Sequence, residues 1–69
     1  MNHMQEYIEA LQNGKGYNWI ANHGHELNKY ELLDIIKELT YAIGFISDFD
    51  KDDIYNFAAE NLKEIYNEE

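Results

Sequence analysis

Two short stretches of the chain carry side chains that could bind a metal ion. The first is His23-Gly24-His25-Glu26, which places two imidazoles and one carboxylate close together. A structural zinc site needs four ligands, and a chain without cysteine has no thiolate to complete such a set. The stretch is therefore expected to be an exposed loop that is mildly sensitive to pH, and we expect no metal there.

The second stretch is the aspartate series Asp48, Asp50 and Asp52, which matches the opening of an EF-hand calcium loop. That loop also needs glycine at its sixth position and a bidentate glutamate at its twelfth, where this chain has Asp53 and Ala59. The calcium cage cannot close without them. The same residues suit the start of a helix, with Asp50 as the N-cap and Asp52 and Asp53 in the first turn.

Groups suited to catalysis are scarce in this chain. It has no cysteine and no arginine, and Ser47 is its only serine, with no spacing that indicates a triad. The segment Asn13-Gly14-Lys15-Gly16 lacks the spacing of a phosphate-binding loop and is typical of a turn that ends a helix. A hairpin is the alternative for this segment, but its flanks do not alternate as strands do. We expect no enzymatic activity and no cofactor.

The charge of the chain restricts its partners. Fourteen acidic residues face five lysines, which gives a formal net charge of −9. Nucleic-acid phosphates and anionic membranes attract basic surfaces, so the sequence argues against direct binding to either. The charge suits a basic protein partner, or it serves solubility alone. No apolar run approaches the length of a membrane span and no leader is present, so we expect a cytoplasmic protein.

The fold expected to position these residues is all-α. The sequence predicts one domain over residues 1–69, a small bundle of three main helices plus one short helix. Their approximate ranges are 4–12, 17–23, 28–43 and 51–66. Met4 is a candidate initiator, which makes residues 1–3 candidates for a vector-derived extension.

The helix predicted at 28–43 is expected to be the centre of the bundle. Asn28 and Glu31 have the spacing of a capping box, and Gly44 is expected to end the helix. The acidic side chains of Glu31, Asp34 and Glu38 are expected on its solvent side. Apolar residues at helical spacing predict a wide buried face on the other side. Its members are Leu32, Leu33, Ile35, Ile36, Leu39, Thr40, Ala42 and Ile43.

Helical spacing also predicts the buried sides of the other helices. The first helix is expected to bury Met4, Tyr7, Ile8 and Leu11. In the second, Tyr17, Trp19 and Ile20 form the apolar side, with Trp19 in the core or, as an alternative, exposed as an anchor for a partner. The last helix is expected to bury Ile54, Phe57, Ala58, Leu62, Ile65 and Tyr66. Its outward residues are expected to be Asp53, Asn56, Glu60, Lys63, Glu64 and Asn67.

These features favour a non-catalytic acidic protein-binding module that acts through its surface. An alternative is a mimic of nucleic-acid phosphates that blocks a DNA- or RNA-binding protein. In size, acidity and aromatic content the chain resembles phage or mobile-element inhibitors of that kind, although it shares no motif with them. A further alternative is a self-associating structural or regulatory subunit, for example a homodimer. The candidate partner-binding residues are Asp48, Asp50, Asp52, Asp53, Glu60, Glu64 and Trp19.

Overall fold

The computed structural model describes residues 2–47 and 50–66, and this part of the chain is helical without any strand. The α-helices in order are α1 (His3–Gln12), α2 (Gly16–His23), α3 (Lys29–Phe45) and α4 (Lys51–Tyr66), with a 3₁₀ turn at Gly24–Glu26. The predicted all-α bundle is confirmed. The predicted division into three main helices and a short one is not, because α1 and α2 have only 10 and 8 residues against 17 and 16 in α3 and α4. In the described ranges, no helix is both long and apolar enough to cross a bilayer.

The starts of α3 and α1 use the same capping device. At α3, Glu31 N donates to Asn28 Oδ1 at 2.9 Å and Asn28 N donates to Glu31 Oε1 at 3.0 Å, which confirms the predicted capping box. At α1, Asn2 and Gln5 make the same reciprocal pair, with distances of 2.8 and 3.4 Å. The helix therefore begins at His3, before the predicted start, because Asn2 supplies its cap.

The turn between α1 and α2 depends on two glycines. Gly14 has φ +75°, a left-handed backbone conformation that glycine adopts without steric strain. Gly16 is buried against α1, and a Cβ at this position would lie 3.1 Å from Leu11 Cδ1. The predicted helix-ending turn is confirmed. Because Gly16 has no Cβ, α2 packs closely on α1.

The core forms around α4 rather than α3. The main helix contacts are those of α4 with α3 and of α4 with α1, so α4 lies between the other two. Ala58, Ala59 and Leu62 of α4 have no measurable exposure, and the two alanines allow close approach of the neighbouring helices. The predicted face of α1 is confirmed by the burial of Met4, Tyr7, Ile8 and Leu11.

The buried side of α3 is narrower than predicted. Ile35 and Ala42 are buried, but Leu33, Ile36 and Ile43 are each at least half exposed. Thr40 is exposed as well. The prediction assumed neighbours on more than one side of α3, whereas α4 is the helix that packs extensively against it.

The end of α3 also differs from the prediction. Gly44 lies inside the helix, which continues to Phe45 and has Ile46 as its C-cap, with φ −84°. A cap of this extended type needs no left-handed residue, so a glycine is not required to end α3. The helix therefore ends beyond the predicted boundary.

The acidic side of α3 is also less exposed than predicted. Glu31, Asp34 and Glu38 are half-buried, and Asp34 accepts a hydrogen bond from the Tyr66 hydroxyl of α4. The solvent placement predicted for these acids is only partly correct, because the sequence does not determine on which side of α3 the helix α4 docks. Ile65 of α4, predicted to be buried, is 51% exposed.

Candidate protein-binding surface

Several large apolar side chains of the described residues lie on the surface. Those at least half exposed are Tyr17, Tyr30, Leu33, Ile36, Tyr41, Ile43, Phe45 and Ile65. Single exposed apolar side chains are normal in a folded protein. Here, however, six of these eight belong to one helix, α3, although at the period of a helix they do not form a single patch.

Three aromatic side chains at the junction of α3 and α4 contact one another, and we call them the aromatic cluster. They are Tyr41 and Phe45 of α3 and Phe57 of α4. The rings of Phe45 and Phe57 stack with centroids 5.0 Å apart, and Tyr41 lies 6.0 Å from Phe45 and 5.6 Å from Phe57. Mutual packing restrains the rings, yet Tyr41 is 56% and Phe45 62% exposed. A partner could bury them while immobilising few side chains.

Most of the acidic residues that are predicted to bind a partner lie on the outward side of α4. Positions three or four apart lie on one side of a helix, and six exposed residues of α4 follow this spacing. They are Asp52, Asp53, Asn56, Glu60, Lys63 and Glu64, which we call the acidic face. It holds four carboxylates against one ammonium group. The structure thus brings four of the predicted residues together: Asp52, Asp53, Glu60 and Glu64.

Glu60 is partly engaged within the fold. Its Oε2 lies 3.8 Å from Lys63 Nζ and accepts a hydrogen bond of 3.4 Å from Gln12 Nε2 of α1. The Gln12 contact is at the edge of an open groove of about 610 Å³ between α1 and α4. Glu60 therefore offers a partner less negative charge than its exposure alone implies.

Asp50 has a structural role at the start of α4. Its Oδ1 accepts from Asp52 N at 2.9 Å, and its carbonyl oxygen accepts from Ile54 N at 3.0 Å. This geometry confirms the predicted N-cap, with Asp52 and Asp53 in the first turn. Asp48, the remaining candidate of this stretch, lies outside the described residues.

The acidic face borders the aromatic cluster along α4. Phe57 follows Asp53 by four positions and precedes Glu60 by three, so all three side chains lie on neighbouring parts of one helix surface. On α3, Glu38 precedes Tyr41 by three positions in the same way. Carboxylates thus neighbour the aromatic cluster on both helices, and their field favours the approach of cationic groups.

Trp19 packs against the core beside a tyrosine, as predicted, but it is only partly buried. It is half-buried at the rim of the core, where its ring meets Tyr7 edge to face at 5.7 Å. The imidazoles of His3 and His23 lie 6.5 and 5.3 Å from it. Its neighbour Tyr17 is 84% exposed, so the predicted apolar side of α2 is only partly correct.

The three histidines lie near the carboxylate of Glu26. Sequence spacing did not predict this position for His3. Nδ1 of His3 lies 3.3 Å from a Glu26 carboxylate oxygen, and nitrogens of His23 and His25 lie 3.8 Å from the other oxygen. His3 joins this group because α1 packs against α2. Across residues 2–47 and 50–66, no three His, Cys, Asp or Glu side chains have a geometry that could hold a metal ion.

A second apolar surface lies between α3 and the α1–α2 pair. This groove has a volume of about 430 Å³ and is lined by uncharged side chains, among them Tyr7, Ile20, Ile36, Leu39 and Tyr55. Burial raises the pKa of Tyr7 from 10.0 to about 12, and the negative charge that Tyr55 carries when it ionises makes a smaller contribution. We call this surface the apolar groove.

The described residues thus offer two kinds of contact, apolar side chains on α3 and carboxylates on α4. The two kinds of contact meet at the aromatic cluster. Comparison of the chain with protein-family models, with curated proteins and with solved structures finds no match in any of the three.

Proposed function

We propose that this chain is a non-catalytic protein-binding module that docks a partner through the exposed surface of α3 and α4. The observation that supports this proposal is the aromatic cluster, in which Tyr41 and Phe45 pack together while more than half exposed. Burying a large apolar side chain stabilises a complex by about 1.5–3 kcal/mol. Completing the burial of two half-exposed rings would therefore contribute about 2 kcal/mol to binding.

The carboxylates around the cluster add selectivity to this apolar contact. A net charge of −9 repels acidic partners and accelerates association with basic ones. The apolar rings would supply most of the affinity, and the acidic face would select the partner and speed the encounter. Partner binding should then weaken only moderately as salt increases, because the apolar contribution is not screened.

Photo-crosslinking tests the proposal directly. A benzophenone amino acid replaces Phe45 in one variant and Asn18, an exposed residue of α2, in a control variant. In cells that carry the gene naturally, the position-45 variant should form a defined adduct with another protein after irradiation, and the control should not. Equal adducts at both positions, or none at either, would contradict the proposal. An adduct of twice the chain's mass would instead support the self-associating alternative.

The acidic face supports a second candidate, the mimic of nucleic-acid phosphates. Asp52 and Glu64 are twelve positions apart, about 18 Å along the helix, and carboxylates at intermediate positions could imitate a short run of phosphates. Lys63 lies on the same face and works against this mimicry.

Charge reversal separates this candidate from the first. Changing Asp52, Asp53 and Glu64 to lysine should abolish partner binding if the face imitates phosphates, and binding should fall steeply with salt. If the aromatic cluster supplies most of the affinity, the reversal should weaken binding only several-fold. Phe45→Ser should then have the larger effect.

A further inference from the structure

The aromatic cluster has a geometry that suits a planar cation. Its exposed members, Tyr41 and Phe45, belong to adjacent turns of α3 and lie 6.0 Å apart. Phe57 stacks on Phe45 at an interplanar angle of 24° and so restrains that ring from the α4 side. A restrained and exposed aromatic face attracts a cation placed over it, and the planar guanidinium group of arginine stacks best on such a face.

Carboxylates neighbour these rings along the sequence of both helices. Asp53 precedes Phe57 by four positions and Glu60 follows it by three, so each lies about one helical turn away. On α3, Glu38 precedes Tyr41 by three positions. On α3 and α4, six acidic residues and three lysines (Lys37, Lys51 and Lys63) lie within seven positions of Tyr41 or Phe57, so acidic groups outnumber basic ones around the cluster. The surroundings of the rings thus have the charge opposite to that of arginine.

We propose that the aromatic cluster binds an arginine-bearing apolar segment of another protein. A guanidinium group stacks on the ring of Phe45 or Tyr41 and pairs with a flanking carboxylate, and an adjacent apolar side chain covers the rest of the cluster. This proposal rests on the protein-binding function proposed above and names the chemistry of the partner.

The composition of the chain separates this occupant from a second copy. The chain contains no arginine, so a second copy cannot supply the guanidinium group. A second copy would also bring another net charge of −9 against the same acidic surface. Nucleic acids and anionic membranes meet the same repulsion. A basic segment of a different protein is the occupant whose charge complements the cluster.

Selection from a random peptide library tests the proposal without assuming a peptide sequence. The wild-type chain is panned against phage-displayed twelve-residue peptides, and the selected peptides are then tested on Phe45→Ser. Ile36→Ser is the matched control, since Ile36 lies on the same helix with 57% exposure against 62% for Phe45 but lines the apolar groove. Circular dichroism confirms that both variants are folded.

The expected result is enrichment of peptides that combine arginine with an aliphatic or aromatic residue. Their binding should fall at least tenfold in Phe45→Ser and stay within twofold in Ile36→Ser. In a synthetic peptide of the selected sequence, replacing arginine by lysine should weaken binding roughly three- to tenfold, because lysine loses the stacking and the bidentate pairing. Asp53→Asn combined with Glu60→Gln should weaken it by a similar factor.

Other outcomes would overturn the inference. Selected peptides without enrichment in arginine, equal binding of the arginine and lysine peptides, or binding that survives in Phe45→Ser would each reject it. Failure to select any peptide on the wild-type chain would reject it as well. The crosslinking experiment at position 45 tests the protein-binding function independently of the arginine chemistry. A captured partner that binds through neutral segments would support that function and refute only the arginine chemistry.

Discussion

The hydroxyl group of Tyr66, in the last turn of α4, donates a hydrogen bond to a carboxylate oxygen of Asp34 in α3. The two residues are 32 positions apart, so the bond joins the C-terminal end of α4 to the first half of α3. Burial and this hydrogen bond both raise the pKa of Tyr66 above its ordinary value. The contact joins the two long helices, and it accounts for the partial burial of Asp34.

Removing this bond should destabilise the fold modestly. Tyr66→Phe deletes the donor but keeps the ring, and we expect the free energy of unfolding to fall by about 1 kcal/mol, as for a partly exposed bond to a charged group. Urea denaturation of Tyr66→Phe, Asp34→Ala and the double variant measures the coupling between the two side chains. Tyr17→Phe is the control, since Tyr17 is 84% exposed. Additive effects of the two substitutions would show that the bond does not form in solution.

Burial along α4 can be tested by comparing two residues that the sequence pattern places on one stripe. Leu62 has no measurable exposure, whereas Ile65 is 51% exposed. Leu62→Ala removes packed atoms and leaves a cavity, which typically lowers the free energy of unfolding by 2–5 kcal/mol. We expect Ile65→Ala to lower it by less than about 1 kcal/mol, because much of that side chain is already in water. Similar losses from both substitutions, measured by urea denaturation, would contradict the burial described here.

The position of Gly44 inside α3 leads to a prediction with a definite sign. A Cβ at Gly44 meets no atom within 4 Å, and the residue has helical neighbours on both sides. We expect Gly44→Ala to raise the free energy of unfolding by roughly 0.5–1 kcal/mol, because alanine loses less conformational entropy in a helix than glycine.

Gly14 provides the opposite case as a control. Its φ of +75° strains any residue with a Cβ, so Gly14→Ala should be destabilising by roughly 1 kcal/mol. Thermal unfolding followed by circular dichroism measures both variants. Destabilisation by Gly44→Ala would indicate that α3 ends at this glycine in a left-handed conformation, as its sequence position suggests.

Tyr7 makes the stability of the fold sensitive to alkaline pH. Its pKa is about 12 in the folded chain against 10.0 for an ordinary tyrosine. Below pH 10 both states hold the proton. Between pH 10 and 12 the unfolded chain releases the proton while the folded chain retains it, so the free energy of unfolding falls as pH rises. The shift corresponds to a loss of about 2–3 kcal/mol from this group.

The variant Tyr7→Phe isolates that loss from the effect of Tyr66, whose pKa is also raised. We expect urea denaturation at pH 9 and pH 12 to show a smaller decrease for Tyr7→Phe than for wild type, and an unchanged decrease for Tyr17→Phe. The same alkaline decrease in all three proteins would show that Tyr7 is not responsible.

Local signals in the sequence were sufficient for the presence of the helices and for some of their caps, although not for the Asn2 cap of α1 or the end of α3. The capping box at Asn28, the N-cap role of Asp50 and the turn at Gly14 depend on side chains within four positions of one another, and the structure confirms all three. The buried face of α1 was also predicted correctly, since its apolar residues form a single stripe at three- and four-residue spacing. The acidic face of α4 followed from the same three- and four-residue spacing.

The aromatic cluster could not be predicted in this way. Tyr41 and Phe57 are sixteen positions apart, and only the docking of α4 on α3 brings their rings within 5.6 Å. A long apolar helix such as α3 has several possible buried sides, and periodicity alone does not say which side a neighbour will cover. The pairing of His3 with Glu26 has the same origin, because it depends on how α1 meets the end of α2.

The sequence by itself thus determined an acidic, all-helical chain, the starts of α3 and α4, and which residues share a helical face. The tertiary structure decided that α4 occupies the centre, that Leu33, Ile36 and Ile43 remain exposed, and that aromatic rings meet carboxylates at one junction. Helix formation depends on interactions within a few positions, whereas burial depends on the relative docking of whole helices. Ala58 and Ala59 are fully buried where the helices meet, while much of the apolar surface of α3 stays exposed.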